Sequence, residues 1–162
     1  IHKEIMHLQR YIAIQKLRFG ERLRFRAAVP PELAVQRVLK LTLQPLVENA
    51  LFHGLERKKT GRWVLQVSVI GRDDGRIMIK IMDNGVGMDA EQLRRLRADL
   101  EADAQPVQET SALGQRIGLF NIHHRLRIYY GPAYGLQVNS WPHRGTIVTV
   151  LLPQSGKEGE DV

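Results

Sequence analysis

Ile77-Met78-Ile79-Lys80-Ile81-Met82-Asp83-Asn84-Gly85-Val86-Gly87-Met88 is the stretch on which the reading of this chain turns. Its first six residues are apolar side chains broken by a single lysine, the pattern of a strand buried in a sheet. Asp83 stands where that strand ends. Glycines at 85 and 87 permit backbone angles closed to other residues and let a flat ligand approach unobstructed. A carboxylate so placed can accept a hydrogen bond from an amino group such as that of adenine. The same residues taken alone also describe an ordinary Asp-Asn-Gly turn, so the surroundings must decide.

Upstream, residues 62–71 form a second strand, joined to 76–82 through Arg72-Asp73-Asp74-Gly75, whose Asp-Gly pair predicts an antiparallel hairpin. Further back, Leu43, Leu46, Val47, Ala50 and Leu51 share one face of a helix over 43–54, with Pro45 in its first turn and Gly54 placed to cap its end. That helix carries Glu48-Asn49-Ala50-Leu51-Phe52-His53. Glu48 and Asn49 point about 100° apart, whereas Asn49 and His53 share a face and can address one ligand. An Asn carbonyl suits Mg²⁺, which keeps water and substrate phosphates in its shell and needs few protein ligands. A buried, hydrogen-bonded Asn is the plainer alternative for Asn49.

Nearer the start, Leu23, Phe25, Ala27 and Val29 alternate with Arg22, Arg24, Arg26 and Ala28 in a half-buried strand closed by Pro30 and Pro31. Before it, Ile5, Leu8, Tyr11, Ile12 and Ile14 mark an amphipathic helix ending near Gly20. Downstream of Met88, Leu93, Leu96 and Leu100 predict a helix, and residues 102–113 lose periodicity and read as a mobile loop. Gly114-Gln115-Arg116-Ile117-Gly118-Leu119 then leads into a long helix with Leu119, Ile122, Leu126 and Tyr130 on one side. Free N–H groups at such a helix start bind anions. A last hairpin pairs 135–141 with 145–152 across Pro142-His143-Arg144. Helices interspersed with antiparallel hairpins give an α+β, two-layer sandwich: a mixed sheet covered on one face by helices.

The chain of 162 residues suits one domain, and 43% hydrophobic beside 25% charged residues is ordinary for a folded protein. The absence of cysteine excludes a disulfide framework, Cys-ligated zinc and thiol catalysis. No apolar run approaches the roughly 20 residues that cross a bilayer. A net charge of +7 raises a basic nucleic-acid-binding module as one alternative. Glu21 interrupts the early arginines and aromatic interleaving is sparse, so a solvated basic face is the expectation and no nucleic acid is expected. Ile1 opens without initiator Met or cap, as if within a helix, and a fragment is inferred. No phosphate-loop motif occurs.

In order along the chain, Glu48-Asn49-Ala50, Asp83-x-Gly85-x-Gly87, Gly114-x-x-x-Gly118-Leu119 and Gly145-Thr146 resemble the ATPase superfamily of gyrase, histidine kinases and MutL. Residues 11–20 and 43–54, with Asn121, Arg125-Leu126 and Tyr130-Gly131, resemble the LytS-like sensor histidine kinases. The resemblance implies a Bergerat sandwich that binds ATP and Mg²⁺ and passes the γ-phosphoryl group to a histidine upstream of Ile1. It implies Asn49 as the Mg²⁺ ligand, Glu48 as the acid that orients or deprotonates the accepting histidine, and Asp83 as the adenine-reading carboxylate. Gly85, Gly87 and Thr146 would line the base pocket, and Gly114, Arg116, Gly118 and Leu119 the phosphate lid, with His53 also at the nucleotide. Residues 1–20 would continue from a phosphoacceptor segment, 21–153 form the catalytic domain and 154–162 a tail. Implied partners are that acceptor segment, of the same protein or its dimer mate, and a response regulator. The implied location is the cytoplasmic portion of a sensor anchored to the membrane through N-terminal regions. An ATPase driving a conformational cycle is the other reading within the superfamily. Two departures stand out. Phe52 replaces a phosphate-touching lysine and Arg116 a lid glycine, while His2 and His7 lack the context of a phosphoacceptor.

Overall fold

A computed structural model describes residues 1–102 and 113–154, with the backbone alone for 113–116. It opens with α1 (His2–Phe19), whose C-cap Gly20 takes φ 61°, followed by β1 (Leu23–Ala28) and the four-residue α2 (Pro31–Ala34). Next come α3 (Leu43–Asn49), a π-helical turn (Ala50–Leu55), β2 (Trp63–Gly71) and β3 (Arg76–Asp83). The chain continues through α4 (Ala90–Ala102), α5 (Leu113–Tyr130), β4 (Gly135–Trp141) and β5 (Gly145–Pro153).

The five strands form one sheet in the order β1-β2-β3-β5-β4. Among the described residues only β1 and β2 run parallel; every other pair is antiparallel. Alternation sets the layers. Leu65, Val67, Val69, Ile77, Ile79, Ile81, Val148, Val150 and Leu152 are buried on one face. Their neighbours Gln66, Ser68, Lys80, Gln137 and Asn139 lie on the other, partly or fully exposed. A one-residue slip would exchange those sets, so the buried face fixes the register. Helices cover that face alone: Ile5, Leu8 and Ile12 of α1, Leu43, Leu46 and Val47 of α3, Leu96 and Leu100 of α4, and Leu119, Ile122 and Leu126 of α5 join one core with the inward strand residues. Helix α1 therefore packs into the same core as the sheet.

At the open edge, β4 is shielded from further pairing. The Leu136 N–H donates to His123 Nδ1 at 3.0 Å, and the Arg97 guanidinium donates to the Val138 carbonyl at 3.0 and 2.8 Å.

Three differences from the sequence reading bear on function. The helix over 43–54 splits into α3 and a π-helical turn, a distortion that often marks ligand sites. Gly54 is not a left-handed cap; it lies inside that turn with its Cα against Asp83. The expected loop over 102–113 falls outside the described residues between Ala102 and Leu113, and α5 already begins at Leu113. Gly114 and Gly118 thus lie in the first two turns of a helix instead of preceding it.

Candidate functional site

Strand β3 delivers Asp83 to one end of the sheet, where β5 sets Thr146 directly opposite. The Gly85 N–H donates to Asp83 Oδ1 at 2.8 Å. Burial pushes the Asp83 carboxyl up to about 6, and the backbone N–H groups of Gly85 and Thr146, then the Lys58 cation, act against that rise. The result is a partly buried acid whose remaining lone pairs can receive a donor from outside the protein.

Three glycines make this corner possible, for a reason the sequence reading did not identify. A Cβ on Gly85 would lie 2.3 Å from the Gly54 carbonyl carbon, and one on Gly87 would lie 1.9 Å from the Trp141 oxygen. A Cβ on Gly145 would sit 1.9 Å from the Asp83 oxygen. Gly87 and Gly145 also hold φ at 66° and 106°, where L side chains are strained. Three backbone segments close on one another here, so glycine is demanded by the protein before any ligand enters. The Val86 N–H donates to the Gly54 carbonyl at 3.0 Å and the His143 N–H to the Val86 carbonyl at 2.6 Å, tying the π-helical turn, the β3 loop and the last hairpin together.

Thr146 is buried and its hydroxyl lies 2.8 Å from Ser140 Oγ. Ser140 also receives the Met88 N–H at 2.8 Å and donates to the Gly145 carbonyl at 3.1 Å. Sequence reasoning missed Ser140, since a serine mid-strand carries no motif. It also missed Lys58, whose Nζ donates to the Asn84 carbonyl at 2.9 Å and so braces the turn after Asp83. Phe52, where the resemblance expects a lysine, is exposed.

At the other end, α3 and its π-helical turn carry Glu48, Asn49 and His53, all partly buried. Gln44 Nε2 donates to Glu48 Oε1 at 2.9 Å across one helical turn. Glu48 faces α1: burial first, then the Glu48 charge, pushes the Tyr11 phenol up to about 12. Burial, and then Arg57, hold His53 below the ordinary imidazole value. Asn49 is partly buried, with no hydrogen bond to its amide among the described residues. No cluster of three or more His, Cys, Asp or Glu occurs among the described residues.

Of the residues expected at the site, Asp83, Gly85, Gly87 and Thr146 are brought together, and the Gly54–Val86 bond joins them to the helix of Glu48, Asn49 and His53. Leu119 is buried in the core beneath α5. Gly114 and Gly118 are placed by their backbone in α5, and the side chain of Arg116 lies outside the described residues. The early arginines are partly committed to structure. Arg18 pairs with Glu56 at 2.6 Å, and Arg22 stacks over Trp63 while donating to the Lys58 and Gly61 carbonyls.

Known proteins share this organisation. The family model described as histidine kinase-, DNA gyrase B-, and HSP90-like ATPase matches residues 34–156. The sensor histidine kinase YesM of Bacillus subtilis (strain 168) is 33% identical over 153 residues, covering 94% of this chain and 23% of its own length. For the sensor histidine kinase YpdA of Escherichia coli (strain K12) the identity is 36% over 153 residues, covering 94% and 24%. The chain thus spans about a quarter of the length of these relatives. Among solved structures, the catalytic domain of histidine kinase ThkA superposes with a TM-score of 0.63 at 10% identity, covering 95% of this chain and 93% of that one. A Mycobacterial sensor histidine kinase, MprB, gives 0.55 at 17% identity over 90% and 91%.

Proposed function

Because the chain belongs to the histidine kinase-, DNA gyrase B- and HSP90-like ATPase family, we propose that it is the ATP-binding catalytic domain of a two-component sensor histidine kinase. The observation that carries this reading is the joining of two unlike chemistries in one place. A desolvated acid framed by glycines sits at one end, and a helix carrying Asn49 with an adjacent Glu at the other.

Asp83 receives the amino group of adenine, with Thr146, Gly85 and Gly87 forming the wall of the base pocket. Asn49 would hold Mg²⁺ through its amide oxygen beside the phosphates, and His53 follows four residues later on the same helical run. Gly114, Arg116, Gly118 and Leu119 shape the phosphate cover at the start of α5. Mg²⁺ held there would neutralise charge on the phosphates and polarise the transferring group. Glu48, set toward α1, orients or deprotonates the accepting histidine, so positioning and electrostatics supply most of the catalysis.

Residues 1–20 continue from a phosphoacceptor segment, 21–153 make up the catalytic domain and 154–162 form a tail. The acceptor histidine belongs to the same protein or to a dimer mate, and a response regulator takes the phosphoryl group onward. No described helix is long and apolar enough to cross a membrane; membrane attachment is assigned to regions beyond these residues, with this domain on the cytoplasmic side.

Calorimetric titration with ATP, with and without magnesium, tests the assignment. Asn49→Ala should lose about tenfold or more in affinity when magnesium is present and little when it is chelated. Equal affinities for native protein and variant in magnesium would remove Asn49 from the site.

A further inference from the structure

Helix α3 lacks a cap from its own sequence. Thr42 occupies the N-cap position, but its hydroxyl donates to the Leu39 carbonyl at 2.7 Å and makes no bond to the helix N–H groups. The cap comes instead from α1. The Glu4 carboxylate accepts the N–H groups of Leu41 at 3.0 Å, Thr42 at 3.1 Å and Leu43 at 3.1 Å. One carboxylate thus satisfies three donors at the positive end of a helix, in the favourable sense for its dipole. Leu41 is held from both sides. Its N–H goes to Glu4 and its carbonyl receives Arg125 Nη2 of α5 at 2.6 Å, while its φ of 57° lies in a region that leucine rarely occupies. The Tyr130 hydroxyl of α5 accepts the Leu39 N–H at 3.0 Å. A strained loop, fixed by two other helices, therefore sets where α3 begins.

The far end of the same helical run is anchored independently, by the Val86 N–H on the Gly54 carbonyl at 3.0 Å. Asn49 lies between the two anchors. We propose that Glu4 is a positioning residue for the metal and phosphate end of the nucleotide site, acting from α1 through the helix that carries Asn49 and Glu48. The proposal rests on the reading of Asn49 given above. Loosening the Glu4 anchor frees the start of α3 and displaces Asn49, while the corner at Asp83, held through Gly54 and Val86, stays in place. A shift of α1 along the domain would reach the phosphates by the same route.

Titrating Mg-ATP and adenosine into the 162-residue chain tests this with Glu4→Ala, Glu4→Gln, Asn49→Ala and the double variant Glu4→Ala/Asn49→Ala. Glu4→Ala should weaken Mg-ATP about tenfold and Glu4→Gln by a smaller factor, with adenosine changed less than about twofold. In the Asn49→Ala background the Glu4→Ala effect should vanish, because what it positions is gone. A purely structural role predicts equal losses for adenosine and Mg-ATP, and losses that add in the double variant; either result, or unchanged Mg-ATP affinity in folded Glu4→Ala, overturns the proposal. If Glu4→Ala does not fold, Glu4→Gln decides by the same comparison of ligands. Failure of Asn49→Ala itself to weaken Mg-ATP would instead bring down the reading of the site, which separates the two failures.

Discussion

Asp83 is held by opposing demands. Its ionised form is the better acceptor for an adenine amino group, yet burial raises its carboxyl from 3.8 to about 6. The sign of the consequence follows from linkage. Below pH 3.8 the group is protonated whether the chain is folded or not, and it costs nothing. Between 3.8 and about 6 the unfolded chain ionises first, so folding stability falls, and above 6 it levels off up to about 3 kcal/mol lower. Asp83→Asn carries no charge at any pH. Its melting temperature should therefore gain on that of the native chain as pH rises from 4 to 6 and hold the gain to pH 8. Adenosine affinity should move the other way: native binding strengthens as pH rises through about 6, while the variant stays flat and about tenfold weaker at pH 7.5. Paired melting curves and titrations at four pH values check both signs, and parallel profiles for the two proteins would show that Asp83 neither ionises near 6 nor contacts the base.

The elements read most plainly from the sequence are those with a strong period. The apolar run of 77–82, broken by one lysine, and the Asp-Gly turn before it yielded β3 and its antiparallel partner, and the spacing of Leu43, Leu46, Val47 and Leu51 yielded α3. What the period could not show was where distant backbones touch. The π-helical turn is illegible because apolar spacing of four residues serves both helix types, and the backbone contacts that demand the glycines, whatever room they leave a ligand, have no local signal. Glu4 was invisible for the same reason: its partners are Leu41, Thr42 and Leu43, far along the chain. This distinction makes Gly54 and Gly85 separable. A methyl on Gly54 would meet the Asp83 carboxylate at 2.8 Å, a side chain that can turn aside. A methyl on Gly85 would meet the Gly54 backbone at 2.3 Å, which cannot. Gly54→Ala should keep a cooperative fold and lose most adenosine binding, whereas Gly85→Ala should be destabilised by about 3 kcal/mol or more. Circular dichroism melts beside adenosine titrations distinguish them, and equal destabilisation of both would mean that the Asp83 side chain is as fixed as the backbone.

For the molecule as a whole, the question is whether α1 is a lever attached to the domain or a layer of it. Ile5, Leu8 and Ile12 lie in the same buried cluster as Leu46, Leu51 and Leu65, and Glu4 caps α3 from the same helix. The opposite side of α1 leaves Leu17 88% and Ile14 64% exposed, so burial is confined to the side that meets the core. A helix that supplies core residues and a cap to its neighbour cannot leave without exposing both, and its motion is thermodynamically linked to the remainder of the fold. Leu8 is fully buried. Leu8→Ala should cost about 2–5 kcal/mol and lower the melting temperature by on the order of 10 °C for a domain of this size. The decisive feature is the shape of the transition. With α1 as a layer, helical signal at 222 nm and the environment of Trp63, which packs against Phe19 at the end of α1, should be lost together in a single transition in both proteins. If Leu8→Ala instead melts in two steps, the first removing part of the helical signal while Mg-ATP still binds with native affinity, then α1 is an appendage, and the route from Glu4 to the phosphates fails with it.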